Sequence, residues 1–272
     1  MIRNPAVAGQ FYYYDPEMLI EQIEGCIDKD AKKLRVFGVL SPHAGYMYSG
    51  KVAGSVFSRI EMTDSFVILG PNHTGLGSRF AICRDGLWRM PLGDVRIDSN
   101  LADEIFKNSK FLDDDMLAHE SEHSIEVQIP FLQYFGKDFQ IVPITIMHYP
   151  PDKNFLRICE DIGNAIATAI KNLGEEVTII ASSDLTHYEP QDEAERKDKA
   201  ALDAILDLNP ERLFRVVREL RISMCGFAPV AIMLFACREL GAKNTRLVKY
   251  MTSGDTTKDY REVVGYGGVL IF

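Results

Sequence analysis

The stretch SFVILG (65–70), followed directly by PNHTG (71–75), decides the fold. A run of apolar residues closed by glycine and proline reads as a strand buried on both faces. Strands of that kind belong to parallel sheets covered by helices on each side. The turn that follows carries His73. An earlier stretch has the same plan, RVFGVL (35–40) and then SPHAG (41–45), which carries His43. Two strand ends therefore present an imidazole from the same kind of loop.

Working outward, FQIVPITIM (139–147) and EVTIIAS (176–182) read as further buried strands, and TRLVKYM and VVGYGGVLIF as two closing ones. The glycines of GYGG point to a bulge or a close backbone approach. KVAGSVFSRI (51–60), SIEVQIPFLQYF (124–135) and NFLRICEDIGNAIATAIKNL (154–173) carry helical spacing, with Pro130 bending the second or restricting its start. Residues 191–240 read as wholly helical, over DEAERKDKAALDAILDL, PERLFRVVREL and APVAIMLFACREL. No linker, repeat or low-complexity tract breaks the pattern, so residues 1–272 are expected to form one domain. The expected architecture is a three-layer α/β/α sandwich around a mixed, mainly parallel sheet.

The net charge of −9, with basic residues scattered, argues against nucleic acid as a partner. No apolar run reaches the length of a membrane span, and the opening MIRNPAVAGQFYYYDP lacks the order of a secretory signal. A soluble cytoplasmic protein is the expectation. Five widely spaced cysteines without a CxxC pair exclude a disulfide framework and a zinc ribbon.

In open α/β sheets ligands collect where strands end. A single histidine in such a turn reads as bonding its own backbone, whereas the pair His43 and His73 reads as a site, imidazole being a common metal ligand. In HESEHSIEVQIPFLQYF, Ser124 reads as the helix cap, Glu122 and His123 as groups that support the site or face a substrate, and His119 as a surface residue. IIASSDLTHYEP offers Asp184 three residues before His187, a spacing that lets a carboxylate orient a proton-exchanging imidazole. Cys225 stands at the start of a strongly apolar helix, where the positive helix end favours thiolate. Cys237, in mid-helix, and Trp88 read as packing residues. YMTSGDTTKDY reads as a loop on the rim.

The ordered motifs SPHAGYMYSG, ILGPNHTG, EHSIEVQIPFL, SSDLTHY and CGFAP resemble the Memo family, also called AmmeMemoRadiSam system protein B. The resemblance runs from NPAVAGQFY to GYGGVLIF. The family is similar in turn to the LigB-like class III extradiol dioxygenases, which implies a LigB-like fold and a non-haem metal pocket. By that resemblance His43, His73 and Cys225 fall on metal positions, the cysteine replacing a dioxygenase glutamate. His187 falls on the acid–base position, and Asp184 and His123 line the pocket. The implied metal is ferrous iron (Fe2+), with copper or zinc suited by the softer thiolate.

The resemblance also implies an unidentified small-molecule or peptide ligand, and radical-SAM and AMMECR-type proteins as associated components. Three functions stay open on the residues: metal-dependent, dioxygenase-like redox chemistry; a non-catalytic metal-, ligand- or partner-binding protein; and nucleophilic attack by Cys225.

Overall fold

The computed structural model describes residues 1–136 and 138–272. The chain begins with β1 (Ile2–Arg3), α1 (Pro16–Glu24), β2 (Gly38–Ser41), α2 (Tyr46–Phe57) and β3 (Ser65–Asn72). Short elements follow: β4 (Phe80–Ile82), β5 (Leu87–Met90), β6 (Gly93–Ile97), α3 (Ser99–Asn108), β7 (Asp113–Asp114) and α4 (Leu117–Glu120). A 3-10 turn (Glu126–Gln128) leads into α5 (Ile129–Phe135), then β8 (Gln140–Met147), α6 (Lys153–Leu173), β9 (Val177–Ser182) and β10 (His187–Glu189). The last third holds α7 (Gln191–Leu206), α8 (Pro210–Leu220), α9 (Phe227–Glu239), β11 (Thr245–Thr252), α10 (Gly254–Thr257) and β12 (Val263–Ile271).

The sheet is mixed and mainly parallel at its centre, as expected. Strands β6, β8, β3, β9 and β2 lie side by side and parallel. Strand β12 joins β2 antiparallel and carries β10 and β11, also antiparallel. Every residue of β2, β3 and β9 is buried, the signature of strands covered on both faces.

The glycines of β12 show which helix covers which face. A Cβ on Gly268 would strike Val56 of α2, whereas one on Gly267 would meet Leu202 of α7 and one on Gly265 would collide with Asp198 of α7. Side chains alternate along a strand, so α2 and α7 lie on opposite faces. A Cβ on Gly38 would meet Cys237 and Met233 of α9. Gly38 pairs with Ile271, which shares the face of Gly265 and Gly267, so α9 and α7 share a layer. Helix α9 is buried on all sides from Phe227 to Cys237, as its unbroken apolar sequence requires. The close approach read from GYGG is present at all three glycines.

Three expectations for local structure are corrected. Residues 191–240 are helical in three segments, as read, but not wholly: the chain leaves helix at 207–209 and 221–226, Pro210 opens α8 after Asn209, whose side chain accepts from the Arg212 N–H as its cap, and α9 starts afresh at Phe227. The helix expected over 124–135 is a 3-10 turn and then α5, because Pro130, which lacks an N–H, sits in the first turn of the α-helix. Ser124 is not its cap; its hydroxyl donates to Pro71 O at 2.8 Å.

Candidate metal centre

Because β8, β3, β9 and β2 are parallel neighbours, their carboxyl ends share one edge of the sheet. His43 lies just past β2, His73 just past β3 and Asp184 just past β9. His123 reaches the same place from the segment between α4 and the 3-10 turn. The ring centroids are 5.2 Å apart for His43 and His73, 5.6 Å for His43 and His123, and 4.7 Å for His73 and His123. One ligand-capable atom from each lies within 4.8 Å of the others, a group that could hold a metal ion.

The hydrogen bonds around His43 fix its tautomer. Its Nδ1 lies 2.9 Å from Ser182 Oγ. The single Ser182 hydroxyl proton goes to Ser124 O at 2.6 Å, and Gln128 Nε2 donates to Ser182 Oγ at 2.8 Å. Ser182 Oγ therefore accepts from His43, which places the ring proton on Nδ1 and leaves a lone pair on Nε2. Burial, followed by the neighbouring His73, His123 and His187, holds the His43 pKa well below the usual histidine value. His43 is thus a neutral imidazole with its free nitrogen turned to the cluster, the state a metal ligand needs.

Glu122 performs the same service for His73. Its Oε1 accepts from His73 Nδ1 at 3.0 Å and from the N–H groups of His123 and Ser124 at 2.9 and 2.8 Å, and its Oε2 accepts from the His73 N–H. Burial works against the charge of this carboxyl, but these hydrogen bonds and the two imidazoles outweigh it and bring its pKa down to about 2. A carboxylate that holds the outer nitrogen of an imidazole orients the inner one and raises its basicity. Burial also lowers the His123 pKa, opposed by Glu122. Its ring packs on Phe11 at 4.8 Å.

Cys225 lies one residue before the N-cap of α9. Its Sγ is 3.3 Å from His43 Nε2, so the sulfur expected at the site touches the nitrogen that faces the cluster. Its ionisation differs from the expectation. Burial, reinforced by the Asp184 carboxyl, pushes the thiol pKa up, outweighing the helix end. With a neutral imidazole beside a neutral thiol, the pair lacks the charge separation of an activated nucleophile.

The other residues divide. Asp184 is buried, and its Oδ1 accepts from the His43 N–H at 2.8 Å. Burial raises its pKa against the opposing pull of the His43 and Ala44 N–H groups. Asp184 therefore braces the His43 loop rather than the His187 ring, whose Nδ1 has no partner among the described residues. His187 is fixed by its backbone, its N–H donating to Ser223 Oγ at 2.7 Å, two residues before Cys225. His119, expected on the surface, is 0% exposed, and neither ring nitrogen has a partner among the described residues. The helix α4 turns it inward beneath Trp88, which is itself wholly buried, as expected of a packing residue. Sequence reasoning missed the parts played by Ser182, Ser124 and Gln128, because hydroxyl and amide groups inside apolar runs carry no distinctive spacing.

A family model described as Memo-like protein matches residues 3–270. The chain belongs to the Memo family. Among Memo relatives, a MEMO1 family protein of Methanothermobacter thermautotrophicus is 43% identical over 98% of this chain and 99% of its own length. One from Methanococcus maripaludis is 44% identical over 100% of both chains. One from Pyrobaculum aerophilum is 42% identical over 100% of this chain and 99% of its own. The crystal structure of an uncharacterized protein of Escherichia coli K12 is similar with a TM-score of 0.58 and 12% identity, covering 87% of this chain and 100% of that one. At that identity the likeness concerns the fold alone, and it supports the layered α/β architecture of this Memo chain.

Proposed function

We propose that this Memo-family chain is a metal-dependent protein. His43, His73 and His123 supply imidazole nitrogens, the Cys225 sulfur joins them, and the metal is ferrous iron. The observation that carries the proposal is the arrangement of His43 and His73, each tied through Nδ1 to an acceptor so that Nε2 is left for a ligand. Imidazole suits iron, copper and zinc alike, and a thiolate shifts preference toward the softer ions, so the donor set fits iron without excluding the other two. Bound iron supplies one-electron redox chemistry.

In this proposal the surrounding residues bind and orient a small substrate and move its protons. Glu122 orients His73, Asp184 holds the His43 loop in place, and the His187 ring takes or gives the proton. Anaerobic purification followed by elemental analysis tests the centre: about one iron per chain is expected in the wild type and none in His73→Ala. Equal metal in both proteins sinks the proposal.

A second reading is favoured by the contact between Cys225 Sγ and His43 Nε2: thiol and imidazole can satisfy one another until a metal displaces the thiol proton, as suits a non-catalytic protein that binds metal, ligand or partner without turnover. Oxygen uptake by the iron-loaded protein separates the two. Consumption that depends on His187 supports chemistry, and its absence with every substrate class supports carriage.

A further inference from the structure

The segment carrying Glu122 and His123 is held from a distance by the start of the chain. Arg3 is 1% exposed, and each of its guanidinium nitrogens is used. Nε donates to His119 O at 2.9 Å, Nη2 to Glu122 O at 2.6 Å, and Nη1 to Glu126 Oε2 at 2.6 Å. The three acceptors bracket His123. Trp88 covers the guanidinium with its ring centroid 4.2 Å from Cζ. Glu126 in turn accepts from the N–H groups of Ala6 and Val7 at 2.7 and 3.1 Å and from the Tyr12 hydroxyl at 2.6 Å. Further along, Phe11 packs on the His123 ring, and its carbonyl accepts from the Tyr46 N–H, just beyond the His43 loop.

We propose that Arg3 is a positioning residue of the metal centre, acting through the backbone of Glu122, and that residues 3–12 are coupled to metal binding. This rests on the metal reading above. A planar fork with several donors can fix two carbonyls and a carboxylate at once, and a lysine cannot. The carbonyl of Glu122 and its side chain belong to one residue, so the brace at the carbonyl limits where the carboxylate meets His73 and His123. Metal that tightens the imidazoles then tightens residues 3–12, and the reverse holds by linkage.

Co(II), whose visible absorption reports its ligands, is the probe. Arg3→Lys keeps the charge opposite Glu126 and loses the fork. It is expected to bind Co(II) about tenfold more weakly than wild type, the lower end for residues that orient ligands, and with an altered spectrum. Ile170→Val, on α6 beside the start of β9 and away from the strand ends that carry the histidines, controls for general destabilisation and should change neither readout. Wild-type binding and spectrum in Arg3→Lys, or an equal loss in the control, overturns the inference. In the wild type alone, amide hydrogen exchange at Ala6 and Val7 should slow on Co(II) addition; unchanged exchange also overturns it. Failure of the wild type to take up Co(II) would instead remove the metal reading on which this rests.

Discussion

At the scale of single residues, the geometry of the candidate centre depends on side chains outside the histidine cluster. Ser182 is buried and takes part in three hydrogen bonds, with His43, Ser124 and Gln128. Ser182→Ala frees the His43 ring to change tautomer and removes one of the two acceptors of the Gln128 amide, the other being Pro42 O. The expected cost is about 1–3 kcal/mol of stability and a 10–100-fold loss of metal affinity, roughly the range for orienting residues. Urea unfolding and Co(II) titration check the two effects separately. His119 makes a different prediction. Burial, with Arg3 the second cause, brings its pKa from 6.5 to about 3, so as pH falls the unfolded chain takes up the proton first. The stability due to the neutral ring is complete above pH 6.5 and is lost as pH falls toward 3. Each proton contributes about 1.4 kcal/mol per pH unit. His119→Phe should therefore lose about 2 kcal/mol less than wild type between pH 6.5 and 5; identical losses in urea titrations would remove His119 as the cause.

At the scale of elements, β12 shows how packing dictates sequence. Gly265 faces Asp198 of α7, whose Oδ1 accepts from the Thr186 N–H at 2.8 Å while its Oδ2 accepts from the Tyr250 hydroxyl at 2.8 Å. This buried carboxyl pins the loop that leads to His187. Gly265→Ala drives a methyl group into it, and overpacking of this kind costs about 1–3 kcal/mol or more. Adding Asp198→Ala should recover part of that loss, because the clash vanishes with the carboxyl. Strictly additive unfolding energies would show that the two residues do not compete for space. The same element explains what the sequence disclosed. Long strands with continuous apolar runs, such as β3 and β8, announce themselves, and so does GYGG. Strands β4 to β7 did not, since β7 is two aspartates and β6 carries one buried residue in every other place only at its end. β4 and β5 do carry strand-like patterns, FAI wholly buried and LWRM alternating, but over three and four residues these are too short to stand out; β6 and β7 are strands because neighbours pair with them.

At the scale of the whole molecule, the fold class was legible because strands alternate with helices, whereas the site was legible only in part. His43, His73 and Cys225 stand beside glycine or proline at the ends of apolar runs, which marks them. The grouping of His43, His73 and His123, which could hold a metal ion, and the inward turn of His119 depend on how residues 117–125 lie across strand ends from distant parts of the chain. No local pattern encodes that placement. The same separation makes metal binding a probe of global folding. In the proposed centre the donors at positions 43, 73, 123 and 225 are scattered in the unfolded chain, so an ion that needs several of them would bind the native state alone. At a free concentration of one hundred times Kd, the stabilisation is about 2.7 kcal/mol. For a chain of this size that corresponds to a rise in Tm of roughly 5–10 °C, taking about 2–4 °C per kcal/mol. The shift should grow with the logarithm of metal concentration, reverse on chelation and be absent in His73→Ala. A Tm rise of equal size in that variant would mean that the ion acts at some other place on the protein.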